Sequence, residues 1–441
     1  MIPKHLYCIC SIVAALFSCK PTGQSPPDGQ VNKAAHSHAS TMNRQLLSVA
    51  PADEVGMLAH RLTYIDTLVQ HYVAKQAIPG AVCLIARRGK IVYHKAFGYR
   101  HAESQTPLDK DDIFRIMSMT KAITSVAVMM LYEEGKFLLD DPIANFIPEF
   151  KNPKVLKKLI INSRDTSFTA VPAKNEITIR HLLTHTAGIP YGHPLQIKAG
   201  IPQFHSTRPL TLSQTIPKLA QLPLMHEPGE QFTYGLSTDV LGYLVEKVSG
   251  MSLAEFFRKR IFQPLDMNDT FFYVPKEKQD RLVSLYEEGA DGKIMPHSKP
   301  AEYADYATQG AQTYHSGGAG LCSTITDYAK FAQMLLNGGR YNGVQLLSRK
   351  TIELMVRNQI GELTTWRGTK FGLGFEIIDA SKATVLLGSE GIFRWGGMYA
   401  TSYWIDPKEE LIGLFFTQVW PSQHQFLSQR FQVLAYQAIV D

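Results

Sequence analysis

Ser118 and Lys121 stand three residues apart in Ser118-Met119-Thr120-Lys121, the only S-x-x-K in the 441-residue chain. A serine hydroxyl is a weak nucleophile until a base takes its proton. A lysine serves as that base when burial and neighbouring positive groups favour its neutral form. At i and i+3 of a helix both side chains project from one face, which brings the nitrogen to the oxygen. The tetrapeptide alone is a weak signal, since roughly one or two would arise by chance in a chain of this composition. Its surroundings strengthen it. Ser118 to Gly135 is rich in Ala, Met, Val and Leu and ends at glycine, which predicts a central buried helix. A charged lysine one turn into such a helix is costly as mere structure. At the helix N-terminus, free N–H groups and the dipole favour negative charge developing on the serine oxygen. The chemistry expected of the pair is attack on a carbonyl.

The elements that must hold this helix are legible on both sides of it. Leu62, Ile65, Leu68, Val69 and Tyr72 recur at helical spacing and predict an amphipathic helix. Gly80-Ala-Val-Cys-Leu-Ile-Ala86 and Lys90-Ile-Val-Tyr-His-Lys-Ala-Phe-Gly98 flank an Arg87-Arg88-Gly89 turn, the signature of a hairpin with covered strands. Helical patterns and loops dominate residues 140–275, with helices expected over 178–184, 211–221, 237–249 and 252–261. One more helix is expected over 324–337, and strands return at 374–379, 383–387, 398–406 and 411–418. Strands at both ends with helices between predict an α/β (α+β) fold. One antiparallel sheet would be assembled from the two termini, with flanking helices and an inserted helical region over roughly 140–275 and 324–337.

With 45% hydrophobic and 19% charged residues, the chain has the composition of a globular protein able to bury a large core. Its formal charge of +6 is modest, and no basic run is interleaved with aromatics as a nucleic-acid groove would need. Lys151 to Lys158, the densest basic patch, reads as a solvated surface loop. Cys83 and Cys322 lie in apolar sequence and read as buried free thiols. Near the N-terminus, Lys4 and His5 precede an apolar stretch, Leu6 to Phe17, with the proportions of a secretory signal. It ends in Leu16-Phe17-Ser18-Cys19, which resembles a bacterial lipobox. The expected organisation is a signal peptide over 1–18, lipidation at Cys19, a flexible tether over 19–57 and one hydrolase domain over 58–441. The protein would be secreted across a bacterial inner membrane and held in the periplasm or at the outer membrane.

A family resemblance emerges from the order of these features. The S-x-x-K helix follows a hairpin and precedes Thr178-Ile-Arg-His-Leu-Leu-Thr-His-Thr-Ala-Gly188; next come Tyr234 with Leu241-Gly242, and a late Trp395-Gly396-Gly397. His226-Glu-Pro-Gly-Glu-Gln-Phe-Thr-Tyr234 and Gly317-Gly-Ala-Gly-Leu-Cys-Ser-Thr-Ile-Thr-Asp-Tyr-Ala-Lys-Phe331 add to it. Together they resemble the β-lactamase-related serine hydrolases, which include class C β-lactamases, penicillin-binding DD-peptidases and family VIII carboxylesterases. The resemblance spans roughly residues 58–440. It implies that Ser118 is the acylated nucleophile and Lys121 its base, with Tyr234, at the Y-x-N position, sharing the proton traffic. A tyrosine can do so only when a neighbouring cation favours its phenolate.

Two departures bear on substrate. Leu236 stands where Y-x-N has asparagine, and Trp395-Gly396-Gly397 stands where K-T-G has a cation. Both replace polar recognition with apolar surface, which discriminates weakly and accepts neutral substrates. The W-G-G resembles the family VIII esterases. Its glycines would let substrate approach the strand edge, and the backbone N–H groups of Met398 and Ser118 would form an oxyanion hole worth about 3–4 kcal/mol per donor. Leu236, Trp395, Gly396 and Gly397 are thus the candidate substrate contacts. Arg394 either holds a substrate carboxylate or pairs with an acid. His181 and His185 lie four apart, but without a third ligand they read as structural hydrogen-bonders and not as a metal site. There is no G-x-S-x-G elbow of the α/β-hydrolase kind.

The expected activity is hydrolysis of a small ester or amide through a serine acyl-enzyme. The alternatives are a β-lactamase or DD-peptidase, acyl transfer to an alcohol or amine, and a non-catalytic binding protein. No metal or organic cofactor is called for. The expected partners are a small-molecule ester, β-lactam or peptide and, through the lipid anchor, a membrane; no nucleic acid is expected, and the chain would act as a monomer.

Overall fold

The computed structural model describes residues 47–161, 166–378, 386–424 and 426–441. Its N-terminal elements are β1 (Ser48–Val49), α1 (Ala59–Ala74), β2 (Gly80–Arg87) and β3 (Lys90–His101). The central region holds α2 (Thr120–Glu133), β4 (Lys154–Ile161), β5 (Thr166–Pro172), α3 (Ile179–Leu183), α4 (Leu212–Ala220), α5 (Ser237–Ser249), α6 (Leu253–Phe257) and α7 (Ile325–Leu336). At the end of the chain come β6 (Lys370–Phe371), β7 (Glu376–Ile377), β8 (Phe393–Gly396), β9 (Ser402–Asp406), β10 (Leu411–Phe416) and α8 (Leu427–Tyr436).

The strands of both termini form one sheet in the order β1-β3-β2-β10-β9-β8-β7-β6. Every pair on this path is antiparallel except β1 with β3. The seam between the two ends is β2 against β10, with Val82 opposite Phe416, Leu84 opposite Leu414 and Ala86 opposite Ile412. Every residue of β2 is buried, and alternation sends its side chains into two different cores. Ala81, Cys83 and Ile85 pack beneath α1 and α8 with Leu62, Val69 and Phe431. Val82, Leu84 and Ala86 join the larger core around α2, α5 and α7. A strand covered on both faces has no polar side, which is why its sequence reads as an apolar run. Cys83 and Cys322 are free and buried, as expected.

Within the larger core, α2 is buried at every position from Thr120 to Leu131. It packs against α5, whose Val240, Leu241, Leu244 and Val245 form the apolar stripe. Thr178 caps α3, its hydroxyl accepting from the His181 N–H while His181 Nδ1 accepts from the Thr178 N–H. No helix among the described residues is long and apolar enough to cross a membrane.

Several expectations need correction. The fold begins before Leu58: β1 pairs with Lys90–Ile91, and Ala52, Val55 and Met57 are buried, so residues 47–57 are not tether. The segment is a two-residue strand and a single 3₁₀ turn (Ala52–Val55), too short for either periodicity to register. Lys154–Ile161 and Thr166–Pro172 pair as β4 and β5 where a solvated basic loop was expected over 151–158; a bulge between Leu156 and Lys158 breaks the alternation that would have announced them. The strand expected over 398–406 covers only Ser402–Asp406, and Trp395-Gly396, which precedes it, itself ends the strand β8. Of the strand expected over 374–379, Glu376–Ile377 is observed, while residue 379 and residues 383–385 of the other expected strand lie outside the described residues.

Met57 is fully buried beneath the α1–α8 layer, so Met57→Ala should cost about 2–4 kcal/mol in urea denaturation. A loss below about 0.5 kcal/mol would show that residues 47–57 add nothing to the fold.

Candidate active site

A single 3₁₀ turn, Met117–Met119, leads into α2 and carries Ser118. Met117 enters it at φ +46°, a left-handed conformation that costs a non-glycine residue energy and is held here by complete burial of its side chain. Ser118 therefore precedes the α-helix proper, and Lys121 lies in its first turn. The two are brought together as the spacing predicts: Lys121 Nζ donates to Ser118 Oγ at 3.3 Å. The lysine is only 2% exposed, so its nitrogen must find acceptors inside the protein. It donates to the Tyr191 hydroxyl at 3.0 Å and to the Gly318 carbonyl at 2.8 Å. Its nitrogen also stands 4.6 Å from the centre of the Tyr234 ring and 5.2 Å from that of Tyr191.

Tyr234 thus meets Lys121 through its ring face, while its hydroxyl accepts from Trp395 Nε1 at 3.2 Å. Trp395 comes from β8 and packs edge-on against Phe371 and Trp366. Ser118, Tyr191, Tyr234, Trp366, Trp395 and Met398 all line one cavity of about 350 Å³. The backbone N–H groups of Ser118 and Met398 have no backbone acceptor elsewhere in the described fold, which leaves both available to a ligand.

The remaining candidates divide. Leu236 is 1% exposed and sits in the core at the start of α5, so it is not a substrate contact. Its apolar side chain follows the burial of that helix. Gly397 lines the cavity, but its missing side chain serves the protein: a Cβ there would strike Thr401 and the Ile116 carbonyl. The tight turn after β8 is thereby held against the segment leading to Ser118, with Gly397 N–H donating to Thr401 O at 2.7 Å. Gly396 also lines the cavity and is less confined, the nearest atom to a Cβ being Thr401 O at 3.0 Å. Arg394 pairs with an acid, its Nε 2.8 Å from Glu376 Oε2. His181 caps α3, whereas His185 is buried against the Tyr234 ring with no partner for Nδ1. Burial and the charge of Lys121 push the His185 imidazole well below its ordinary value, so it stays neutral.

Two residues at the site escaped the sequence reading. Tyr191 follows the Thr-Ala-Gly188 stretch and is the hydroxyl that holds Lys121. Burial first, then the Tyr234 and Asp239 neighbours, pushes its phenol well above the ordinary value, so it keeps its proton. Asp239, an acid inside apolar α5, is 1% exposed and accepts from Ser316 Oγ at 2.6 Å. A carboxylate in a helix otherwise facing the core was the signal that could have found it.

Burial raises the Asp239 carboxyl from 3.8 to about 6, opposed by the Ser316 hydrogen bond and the Lys121 charge. The folded protein therefore keeps a proton that the unfolded chain has already lost, and this group's contribution to stability falls as pH rises from 3.8 to about 6. Above that window the desolvated carboxylate costs on the order of 3 kcal/mol. Asp239→Asn should therefore gain in Tm relative to the parent at pH 8 compared with pH 4. An equal difference at both pH values would show that Asp239 does not titrate in that window.

Comparison with known proteins places the chain in a family. The family model described as Beta-lactamase matches residues 65–437. A Mycobacterium tuberculosis protein of undescribed activity is 32% identical over 78% of this chain and 86% of its own. Esterase EstB of Burkholderia gladioli is 29% identical over 80% of this chain and 88% of its own. Among solved structures, EstCE1, described as a hydrolase with promiscuous acyltransferase activity, aligns with a TM-score of 0.73 and 27% identity, covering 86% of this chain and 99% of its own. By its matched length and its fold, the chain belongs to the β-lactamase family.

Proposed function

We propose that this protein is a serine hydrolase that cleaves small esters through an acyl-enzyme. The observation that carries the reading is the buried Lys121 nitrogen, 3.3 Å from Ser118 Oγ at the wall of an aromatic cavity. Such contacts are often long without substrate and tighten when it binds. Ser118 Oγ attacks the ester carbonyl while Lys121, as a neutral amine, takes its proton and becomes an ammonium. The N–H groups of Ser118 and Met398 stabilise the oxyanion. Tyr191 holds the lysine at the serine, and Tyr234, its hydroxyl oriented by Trp395, gives its own proton to the departing alcohol and recovers one from the Lys121 ammonium through water in the cavity. Water then attacks the acyl-serine along the same proton path and releases the acid. The esterase name of the Burkholderia relative supports ester over lactam as substrate, as does the indole of Trp395 at the position expected to carry a cation.

The first test compares 4-nitrophenyl butyrate with nitrocefin, using the full chain and Ser118→Ala. Ester hydrolysis should fall at least roughly a thousandfold in the variant, with little nitrocefin turnover in either. Fast nitrocefin turnover would replace the esterase reading with a β-lactamase. Silence on both substrates, without labelling of Ser118 by a fluorophosphonate, would indicate a binding protein.

The second proposal concerns location. The apolar Leu6–Phe17 stretch and the Leu16-Phe17-Ser18-Cys19 sequence support export and lipid attachment at Cys19. In a bacterial host fed labelled palmitate, the protein should take up label and Cys19→Ala should not. Equal labelling of both would refute the anchor.

A further inference from the structure

The cavity that reaches Ser118 also touches a cluster of charge which the proposed chemistry does not use. Glu376 on β7 is fully buried, and three donors converge on its carboxylate. Arg394 Nε lies 2.8 Å and Arg367 Nη1 3.4 Å from Oε2, while Thr369 Oγ1 donates to Oε1 at 2.8 Å. Glu376 and both arginines line the cavity, and Glu376 is the only carboxylate among its lining residues. Two guanidinium groups therefore face one carboxylate, and one positive charge is left over.

The surplus is not spent elsewhere in the described fold. Arg394, about four-fifths buried, uses only its Nε, and its two terminal amino groups have no protein acceptor. Arg367 is half exposed, and its guanidinium stands 5.6 Å from the Trp366 ring centre and 5.9 Å from that of Trp395. Pairing β7 with β8 needs only one arginine opposite Glu376. A second cation, and a guanidinium whose forked edge is open, are what planar two-point binding of a carboxylate requires. Arg394 points to the opposite face of β8 from Trp395, and Arg367, whose guanidinium stands beside both the Trp395 ring and the Glu376 carboxylate, joins the two parts of the shared cavity.

We infer that Arg394 and Arg367 form a carboxylate subsite, and that the esters preferred here carry a carboxylate at the end of the acyl chain away from the reacting carbonyl. This rests on the serine-hydrolase reading and adds the substrate class. The cation missing from the Trp395-Gly396-Gly397 strand is supplied by the residue just before it and by a neighbouring loop.

The test uses two esters of equal acyl length, 4-nitrophenyl hexanoate and the mono-4-nitrophenyl ester of adipate. In the parent chain, kcat/KM should favour the adipate half-ester by roughly ten- to hundredfold at low salt. The preference should shrink with added salt and collapse toward unity in Arg367→Gln and Arg394→Gln. Arg394→Lys, which keeps the charge and loses the fork, should retain only part of it. Equal or faster turnover of hexanoate, or a preference that survives both glutamine variants, would overturn the subsite and leave the esterase reading intact. A second readout needs no turnover: adipate should saturably quench tryptophan fluorescence of Ser118→Ala, through Trp366 and Trp395, and fail to do so when Arg367→Gln is added. Absence of saturable quenching in Ser118→Ala would overturn the subsite even if neither ester is hydrolysed.

Discussion

A lysine nitrogen removed from water is the constraint to which the rest of the site answers. Burying a lysine nitrogen is costly unless oxygens replace the lost hydration. Three oxygens do so for Lys121: the serine beside it, the Tyr191 hydroxyl and the Gly318 carbonyl. Two aromatic faces close the remaining directions. These groups come from four separate stretches of chain, so the lysine ties together α2, the loop after α3, the start of α5 and the turn before α7. Asp239 extends the arrangement, linked through Ser316 to the same turn. The site is thus also a crossing point of the larger core, and its chemistry and its packing are not separable.

The proposed mechanism adds a second requirement, that a backbone N–H stand near the serine. Gly397 lets the turn after β8 lie against the Ile116 carbonyl, two residues before Ser118. The close approach expected between a glycine and a substrate is taken instead by the protein's own backbone. Trp395, one strand position from Gly396, does the corresponding work for Tyr234 by donating to its hydroxyl. Residues chosen as substrate contacts thus turn out to position other groups as well.

What the sequence made legible followed from range. Ser118 and Lys121 are neighbours on one turn, so their spacing alone brought them together. The hairpin β2–β3 and the helices α5 and α7 were legible because burial imposes a period or an unbroken apolar run. Tyr191 reaches Lys121 across 70 residues, and nothing local marks it among the tyrosines of the chain. Leu236, at the motif position expected to face the substrate, instead caps a buried helix and faces the core. The charge surplus near Arg394 depends on Glu376 and Arg367 arriving from other segments, which no local pattern encodes.

The seam between β2 and β10 has a consequence for how the molecule is made. Thr417, just beyond β10, donates to the Gly80 carbonyl at the start of β2, 337 residues earlier. A ribosome releases the hairpin long before it releases the strand that covers its inner edge. The central sheet cannot close until nearly the whole polypeptide exists, so contacts of very large sequence separation set the pace of folding. Until then the nascent chain exposes the unpaired inner edge of a largely apolar strand, a state that invites chaperone binding and also suits passage through a narrow channel.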